Sequence, residues 1–252
     1  MTEGRGHALA FGRAVDVYER SRPGYPAAAL DWVLPPGARR VADVGAGTGK
    51  LTRALVARGL EVTAVEPDDA MRAELGRRVP GARALAGRGE SLPVPDAALD
   101  AVLFAQSWHW VDPAVAAPEV ARTLAPGGRL GLLWNDRDLR TDWVARLDEL
   151  MVAAGGSPDR GWRPAVPAPF GPLERTTVGW THALPAEAVA DLVASRSYVI
   201  VLPPAEREAL LAQVRELVST HPEVAGRDTI EIPYVTQCYR TSPVAAPAPS
   251  NS

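Results

Sequence analysis

The sequence predicts an α/β fold: a Rossmann-like, doubly wound seven-stranded sheet, mostly parallel with an antiparallel last strand, with helices on both faces and helical cap elements. Three observations predict it. Short apolar runs alternate with amphipathic segments, as in sheets of βαβ units. A glycine-rich turn, VADVGAGTGK at 41–50, follows the first run. The 252 residues, 46% of them hydrophobic, suffice for one sizeable core.

The strands are predicted first, from apolar runs bounded by Gly, Pro or Asp. Five of these runs have the composition of strands buried on both faces: 39–44, 60–66, 82–86, 99–106 and 129–135. Two later runs alternate apolar and polar residues, which favours antiparallel pairing at a sheet edge: 173–184 and 228–240.

Helix boundaries are indicated by capping residues. Asp112 before Pro113 gives a capping side chain and a proline at the first helical position, and Pro-Gly-Gly at 126–128 closes that helix. Two later segments have apolar residues on one helical face: Trp143, Val144, Leu147, Leu150 and Met151, and then Leu210, Leu211, Val214, Leu217 and Val218.

The domain organisation is predicted to be a single domain over 9–240. Within it, 9–35 forms an N-terminal lid segment, and 185–220 is a helical insertion between the last two strands. The segments 1–8 and 241–252 have the composition of flexible tails.

Composition excludes several classes of protein. A formal charge of −3 argues against nucleic-acid binding, which normally needs a basic excess. The apolar runs are shorter than the ~20 residues of a membrane span, and the start lacks a signal-peptide core, so a cytoplasmic protein is expected. One cysteine, Cys238, leaves no disulfide framework. The histidine spacing predicts no metal site, and a monomer or homodimer is expected.

The glycine-rich turn fails two better-known glycine motifs on spacing. A phosphate-binding P-loop needs Gly at 44 and Ser or Thr at 51, where this chain has Val44 and Leu51. The dinucleotide fingerprint G-x-G-x-x-G would place its third glycine one residue later than Gly49. The remaining pattern, D-x-G-x-G-x-G, resembles motif I of the class I S-adenosylmethionine (SAM) dependent methyltransferases.

This resemblance implies a SAM site at the ends of the first two strands. Glu66 ends the second strand, where a carboxylate accepts hydrogen bonds from both ribose hydroxyls, and this feature alone fits NAD as well. Asp43 would hold the methionine end of SAM, and Asp68 would line the adenosine pocket with Met71. The cofactor-binding residues implied here are Asp43, Gly45, Ala46, Gly47, Thr48, Gly49, Glu66, Pro67 and Met71.

The segment GRGESLPVPDAALDAV, 87–102, is similar to the methyltransferase segment that packs beside adenine. Many members carry Asp or Ser where this chain has Arg88. The resemblance therefore implies contacts through the Gly89 backbone and Glu90, and packing alone is the alternative.

The run AQSWHWVDP, 105–113, is similar to the A-Q-x-x-H-W run of a subgroup related to trans-aconitate methyltransferases. It implies that Gln106 contacts SAM and that Trp108, His109 and Trp110 face the acceptor. His109 is the candidate catalytic residue, acting as general base on a hydroxyl acceptor, since its ordinary pKa is about 6.5. A contact residue or a packed histidine is the alternative, and the tryptophans form either a dry pocket or core.

The N-terminal segment AFGRAVDVYERSRPGYP matches the same subgroup. Phe11, Val15 and Tyr18 share a helical face. The resemblance implies that Tyr18 and Arg22 bind the methionine end of SAM, with Tyr25 at the acceptor; the alternative is a loop stabilised by prolines. It also implies that further residues line the acceptor pocket: Trp134, Asn135, Arg196 and Tyr198. Arg196 either recognises an acidic acceptor or is a solvated helix-end arginine.

Together these motifs predict a SAM-dependent methyltransferase that forms S-adenosylhomocysteine and acts on a small molecule, with no metal. O-methylation is favoured narrowly over N- or C-methylation. Two other functions stay open: an NAD(P)-dependent oxidoreductase on a similar sheet, and a non-catalytic SAM-binding homologue acting as a partner or regulatory subunit.

Overall fold

A computed structural model describes residues 22–156 and 163–244 of the chain. Its strands form one seven-stranded sheet in the order β3-β2-β1-β4-β5-β7-β6, with β7 antiparallel. This confirms the predicted Rossmann-like fold. The strands are β1 Arg40–Val44, β2 Glu61–Val65, β3 Ala82–Leu85, β4 Leu99–Ala105, β5 Leu124–Arg137, β6 Glu174–Pro185 and β7 Thr229–Thr241.

Strand β1 lies at the centre of the parallel part, between β2 and β4. Val41 pairs with Val62 on one side and with Ala101 on the other. Because central parallel strands are covered on both faces, they are almost uniformly apolar. Val41, Ala42 and Val44 are at most 1% exposed.

Strand β5 begins earlier than its apolar run predicts, at Leu124 rather than 129. Leu99 of β4 pairs with Leu124, but Ala101 pairs with Arg129, so the Pro-Gly-Gly segment bulges out of the ladder. Gly127 has a φ of 81°, a conformation that costs glycine little. The turn signal was therefore an irregularity inside the strand and not its boundary.

The helices of the described residues are α1 Ala27–Val33, α2 Lys50–Val56, α3 Asp69–Arg78, α4 Pro113–Thr123, α5 Asp142–Ala153, α6 Ala188–Ala194, α7 Ser197–Ile200 and α8 Pro204–Thr220. Asp112 accepts a hydrogen bond from the Ala114 amide at 2.9 Å and caps α4 as its sequence suggests. Helices α6 to α8 lie between β6 and β7 in the chain. In the part of the chain that the structure describes, none of the helices has the length and apolarity of a membrane span.

The chain divides into two compact units. Of the described residues, a sheet unit holds 24–135, 163–178 and 236–244, and a helical unit holds 22–23, 136–156 and 179–235. The core of the helical unit contains both predicted helical stripes, with Leu150 and Leu217 only partly buried. A single domain over 9–240 stays a prediction.

Candidate functional site

The glycine turn leaves the end of β1 and leads into α2. Three of its residues have left-handed backbone angles: Gly45 (φ 69°), Gly47 (φ 56°) and Gly49 (φ 94°). The amides of Gly45 and Ala46 both donate to the Val65 carbonyl, at 2.9 and 3.2 Å. Ala46 and Thr48 are buried. The turn is therefore fixed to the end of β2.

Two of these glycines have different surroundings. A Cβ at Gly45 would lie 2.6 Å from the Ser107 Cβ. Ser107 is held there because its hydroxyl donates to the Val44 carbonyl at 2.6 Å. A Cβ at Gly47 would meet nothing within 4 Å. Gly45 is therefore required for packing, whereas Gly47 borders open space.

Alanine at these two positions is expected to have different effects. Gly45→Ala adds both a left-handed backbone strain and a clash, together about 2–5 kcal/mol of unfolding free energy. Gly47→Ala adds the strain alone, about 1–2 kcal/mol. Urea unfolding of both variants measures the difference, and equal losses would contradict this account of the turn.

Asp43 is buried at the end of β1, with 1% of its surface exposed. The Thr52 hydroxyl, in the first turn of α2, donates to its Oδ2 at 2.6 Å. The pKa of Asp43 is raised to about 7, because burial raises it more than the hydrogen bonds from Thr52 lower it, and the nearby charge of Glu66 adds a smaller increase. The carboxyl group therefore changes its charge near neutral pH.

Glu66 follows β2 and is 5% exposed. Its Oε2 accepts a hydrogen bond from the Gly47 amide at 2.8 Å, and its Oε1 accepts one from the Asp68 amide at 2.9 Å. Each carboxylate oxygen has a second lone pair for another donor. Asp68 in turn caps α3 by accepting from the Met71 amide at 2.8 Å. Glu66 therefore joins the glycine turn to the loop after β2.

The residues next to Glu66 are accessible. Pro67 is exposed, and Met71 is 45% exposed. The structure thus brings the predicted residues of the first two loops together around Asp43 and Glu66.

The segment after β3 is held by packing and by side-chain hydrogen bonds to α4 and to the residue before it. Gly89 is buried, and a Cβ there would lie 2.8 Å from Val111 and 3.0 Å from Phe104. Glu90 accepts a hydrogen bond from the Asp112 amide at 3.0 Å, and Arg88 is exposed. Glycine at 89 is explained by close packing, and Glu90 holds the start of α4.

Gln106 follows β4 with a φ of 59°, unusual for a residue with a side chain. Its amide donates to the Leu133 carbonyl at 2.9 Å, and its Nε2 donates to the Asn135 carbonyl at 3.2 Å. These bonds offset the strain and fix the direction in which the chain leaves β4.

The tryptophans on either side of His109 have opposite environments. Trp108 is 1% exposed, packs edge-on against Phe104 at a ring-centroid distance of 4.8 Å, and donates to the Ala165 carbonyl at 3.0 Å. Trp110 is 80% exposed, and its ring centroid lies 4.8 Å from that of the exposed His109. Trp108 therefore packs in the core of the sheet unit, because the one-turn 3₁₀ helix at Trp108–Trp110 directs its ring inward.

The end of β5 carries two further predicted residues. Trp134 is 9% exposed and packs edge-on against Tyr239 at 5.9 Å. Asn135 donates to the Gly24 carbonyl at 2.7 Å and accepts from the Thr236 hydroxyl at 2.6 Å. Both ends of the Asn135 amide are therefore engaged within the protein. Tyr25 is partly buried against the core.

Arg22, Arg196 and Tyr198 lie in the helical unit. Arg22 donates to the hydroxyl and carbonyl oxygens of Ser195 at 3.2 and 3.0 Å. Arg196 precedes α7, and its pKa is lowered to about 10 by burial and then by the charges of Arg22 and Arg137. This does not match a solvated helix-end arginine. The predicted Tyr18 lies outside the described residues.

Sequence reasoning missed three residues that contact or lie near the predicted site residues: Thr52 at Asp43, Ser107 at Gly45 and Arg137 near Arg196. Thr52 and Ser107 are a helix residue and a loop residue, and only their proximity to Asp43 and Gly45 gives them a role. Arg137 ends β5, and its place two residues after Asn135 was the available signal, because i and i+2 share a face of a strand.

One group of possible metal ligands occurs in the described residues: Asp142, His221 and Glu223, with ligand atoms within 4.8 Å of one another. The His221 Nε2 is 2.9 Å from Asp142 Oδ2, and its Nδ1 accepts from the Glu223 amide at 3.3 Å. Both ring nitrogens are therefore hydrogen-bonded, and the contact with Asp142 joins the end of α8 to the start of α5.

The chain is similar to proteins of a known family. A family model for a methyltransferase domain matches residues 42–132. An uncharacterized methyltransferase of Mycobacterium tuberculosis is 52% identical over 238 residues, covering 94% of this chain and 97% of that protein. An uncharacterized methyltransferase-like protein of Schizosaccharomyces pombe is 31% identical, covering 88% and 91%.

Solved structures agree on the fold. A proposed type II methyltransferase from Anaeromyxobacter dehalogenans, 22% identical, superposes with a TM-score of 0.66 over 88% of this chain and 97% of that one. A proposed methyltransferase from Bacillus halodurans, 16% identical, has a TM-score of 0.52 over 86% and 98%. The two near full-length relatives show that the chain belongs to the class I SAM-dependent methyltransferases, and the solved structures have the fold of that family.

Proposed function

We propose that this methyltransferase binds SAM at the carboxyl ends of β1 and β2 and methylates a small-molecule acceptor, with oxygen as the favoured acceptor atom. The observation that carries the cofactor site is the pairing of Glu66 with Gly47. Glu66 has spare lone pairs beside a glycine that borders open space. A ribose diol needs hydrogen-bond acceptors for its two hydroxyls and open space beside them for the sugar ring.

Each end of the cofactor has a matching group. Glu66 would accept hydrogen bonds from the ribose hydroxyls, and Asp43 would carry negative charge toward the ammonium group of the methionine end, directly or through water. Supporting contacts are proposed for Ala46, Thr48, Pro67, Met71 and Gln106. Arg22 and Tyr18 are proposed at the methionine carboxylate, and the Gly89 backbone and Glu90 at the adenine.

The chemistry of transfer places few demands on the protein. SAM supplies a methyl group on a sulfonium leaving group, so this chain must align the acceptor, exclude water and remove a proton where the acceptor is a hydroxyl. His109 is the proposed base. Roles in acceptor binding are proposed for Tyr25, His109, Trp110 and Asn135 of the sheet unit and, separately, for Arg196 and Tyr198 of the helical unit. Trp108 and Trp134 are proposed to support the acceptor-binding residues of the sheet unit from its core.

Titration calorimetry with SAM, S-adenosylhomocysteine and NADH tests the cofactor proposal. We expect both adenosyl ligands to bind and NADH not to bind, and the reverse pattern would favour the oxidoreductase reading. Formation of S-adenosylhomocysteine with a panel of hydroxyl and carboxylate acceptors then tests catalysis. SAM binding without turnover of any acceptor would favour the non-catalytic homologue.

SAM binding is expected to depend on pH through Asp43. Its pKa is raised to about 7, so the free protein holds a proton there at pH 6 that the cationic end of the cofactor would displace. We expect affinity to be about tenfold weaker at pH 6 than at pH 8, with up to one proton released at the lower pH. Calorimetry in buffers of different ionisation enthalpy measures the release.

The raised pKa of Asp43 also makes the unfolding free energy of the free protein depend on pH. The raised pKa stabilises the folded state fully below the ordinary value of 3.8, and that stabilisation is lost as pH rises through about 7.

Asp43→Asn is the control for the pH dependence of SAM binding, which should disappear in this variant. Unchanged proton release in that variant would show that another group titrates.

His109→Ala is expected to lower kcat about 10²–10⁴-fold with a hydroxyl acceptor while leaving the Kd for SAM unchanged, because general-base catalysis contributes that range. A carboxylate acceptor needs no base and gives the internal control. Equal losses for both acceptors would assign His109 to binding and not to proton removal.

A further inference from the structure

Thr52 of α2 contacts the buried carboxyl group of Asp43 through two donors. Its hydroxyl donates to Asp43 Oδ2 at 2.6 Å, and its backbone amide donates to the same carboxyl group. This amide is among the first four of the helix, which have no acceptor within it. Both residues are at most 1% exposed. One residue therefore holds a carboxyl group that is shielded from solvent.

The other neighbours of Asp43 do not favour its charge. Asp43 pairs with Ala64 of β2 and Leu103 of β4, which have apolar side chains. Among the described residues, Glu66 in the loop after β2 is the titratable group whose charge acts on Asp43, and it raises the pKa, as burial does. Hydrogen bonds to a carboxylate favour the charged form. The donors of Thr52 therefore keep the pKa of Asp43 at about 7 and not higher.

Thr123, a second buried threonine of the sheet unit, has a different partner. It is the last residue of α4, is fully buried, and donates to the Val120 carbonyl at 2.8 Å. That bond lies within one helix and reaches no titratable group. The Thr52 hydroxyl instead joins a helix to the acidic residue of β1, nine positions earlier. The two threonines therefore separate a hydroxyl that acts on a carboxyl group from one that only satisfies a helix end.

We infer that Thr52 is a positioning residue for SAM, because its two donors hold Asp43 ionised and in place for the ammonium group of the cofactor. This inference rests on the proposed function, in which Asp43 carries that negative charge. Thr52 is buried and acts through Asp43. It thereby regulates the site, since it sets the pH range in which the cofactor meets a charged carboxylate.

The first test measures the titration of Asp43 in the free protein. Thr52→Val removes the hydroxyl at nearly constant volume, and Thr52→Ser keeps it. A hydrogen bond to a charged group is strong enough to change a pKa by about one pH unit. Carbon-13 NMR of the Asp43 carboxyl, assigned with Asp43→Asn, should show a midpoint about one pH unit higher in Thr52→Val and a native midpoint in Thr52→Ser.

Glu66→Gln provides a test of sign in the same NMR experiment. It removes the charge that raises the pKa of Asp43, so the midpoint should fall. Thr52→Val and Glu66→Gln are therefore expected to shift Asp43 in opposite directions. Shifts in the same direction would overturn the role given to the Thr52 donors.

The second test measures binding of SAM and S-adenosylhomocysteine by calorimetry between pH 6 and 8.5. Because the ligand needs ionised Asp43, the affinity of Thr52→Val should be about fivefold weaker than native at pH 7 and within about twofold at pH 8.5. Thr52→Ser should restore the native profile. Thr123→Val is the matched control, because it removes a buried hydroxyl of the same unit whose partner is a backbone carbonyl. Its pH profile should be native.

A merely structural hydroxyl would give a different result. Thr52→Val would then have a lower Tm with a native Asp43 midpoint and a native pH profile, and this outcome would overturn the inference. Failure of Thr52→Ser to restore the profile would also overturn it, because the effect would then belong to the methyl group. Thr52→Ala lacks the hydroxyl too and should shift the midpoint in the same direction, so it serves where Thr52→Val does not fold.

The inference and the proposed function fail in different ways. SAM binding with a native pH profile in Thr52→Val would overturn the inference and leave the function intact. A raised Asp43 midpoint in Thr52→Val, in a protein that binds neither adenosyl ligand, would support the action of Thr52 on Asp43 and contradict the function.

Discussion

Replacing Glu66 by Gln is expected to weaken SAM binding about 10²-fold or more. The carboxylate is proposed to accept two hydrogen bonds from the ribose, and bonds to a charged group contribute about 1.5–3 kcal/mol each. Glutamine keeps one acceptor oxygen but presents an NH₂ group where the other accepted. One of the amides that Glu66 now binds, Gly47 or Asp68, would then face another donor.

This prediction needs a control for damage to the fold. An unpaired buried donor costs about 1–3 kcal/mol, so Glu66→Gln should also lose that much unfolding free energy. Glu61→Gln is the matched variant, because Glu61 is exposed and begins β2, the strand that Glu66 follows. It should change neither the affinity for SAM nor the unfolding free energy. Calorimetry and urea unfolding measure both, and native SAM affinity in Glu66→Gln would remove the ribose assignment.

Trp108→Ala is expected to destabilise the protein by about 3–5 kcal/mol, the range for removing a large buried aromatic side chain. It would leave a cavity beside Phe104 and remove the donor to the Ala165 carbonyl. Thermal and urea unfolding measure the loss. SAM affinity extrapolated to conditions where the variant is folded should change little, because the ring does not reach the surface.

Trp110→Ala is the matched control for Trp108, since the two residues lie in the same 3₁₀ turn. Trp110 is 80% exposed, and exposed substitutions normally change stability by less than about 0.5 kcal/mol. Any effect on turnover would then report acceptor binding. Equal destabilisation by both variants would contradict the orientation of this turn.

The sheet was largely predictable from local pattern. Strands buried on both faces need continuous apolar runs, and the turns between them need Gly, Pro or Asp, so each of the seven strands is visible in the sequence. The exception is β5, where Pro-Gly-Gly reads as a boundary. Pairing of Leu124 with Leu99 extends the strand, because a bulge accommodates the turn within the ladder.

The cofactor side of the site was predictable for a related reason. Neighbouring parallel strands end at the same edge of a sheet, so residues that follow β1 and β2 must meet. Asp43, the glycine turn and Glu66 are brought together in this way. The partner of Asp43 was not foreseen, since Thr52 is a residue of α2 and only helix packing directs its hydroxyl to the carboxylate.

The fold and the acidic and glycine residues of the first two loops follow from local periodicity and motif spacing, and the family follows from the resemblance that these motifs carry. Tertiary packing, by contrast, buries Trp108 and exposes Trp110, and it brings Arg22 to Ser195 across 173 positions of the chain. It also leaves Arg137, Arg196 and Tyr234 with buried polar atoms that have no hydrogen-bond partner among the described residues. Side-chain direction and long-range proximity arise from packing, and no spacing along the chain encodes them.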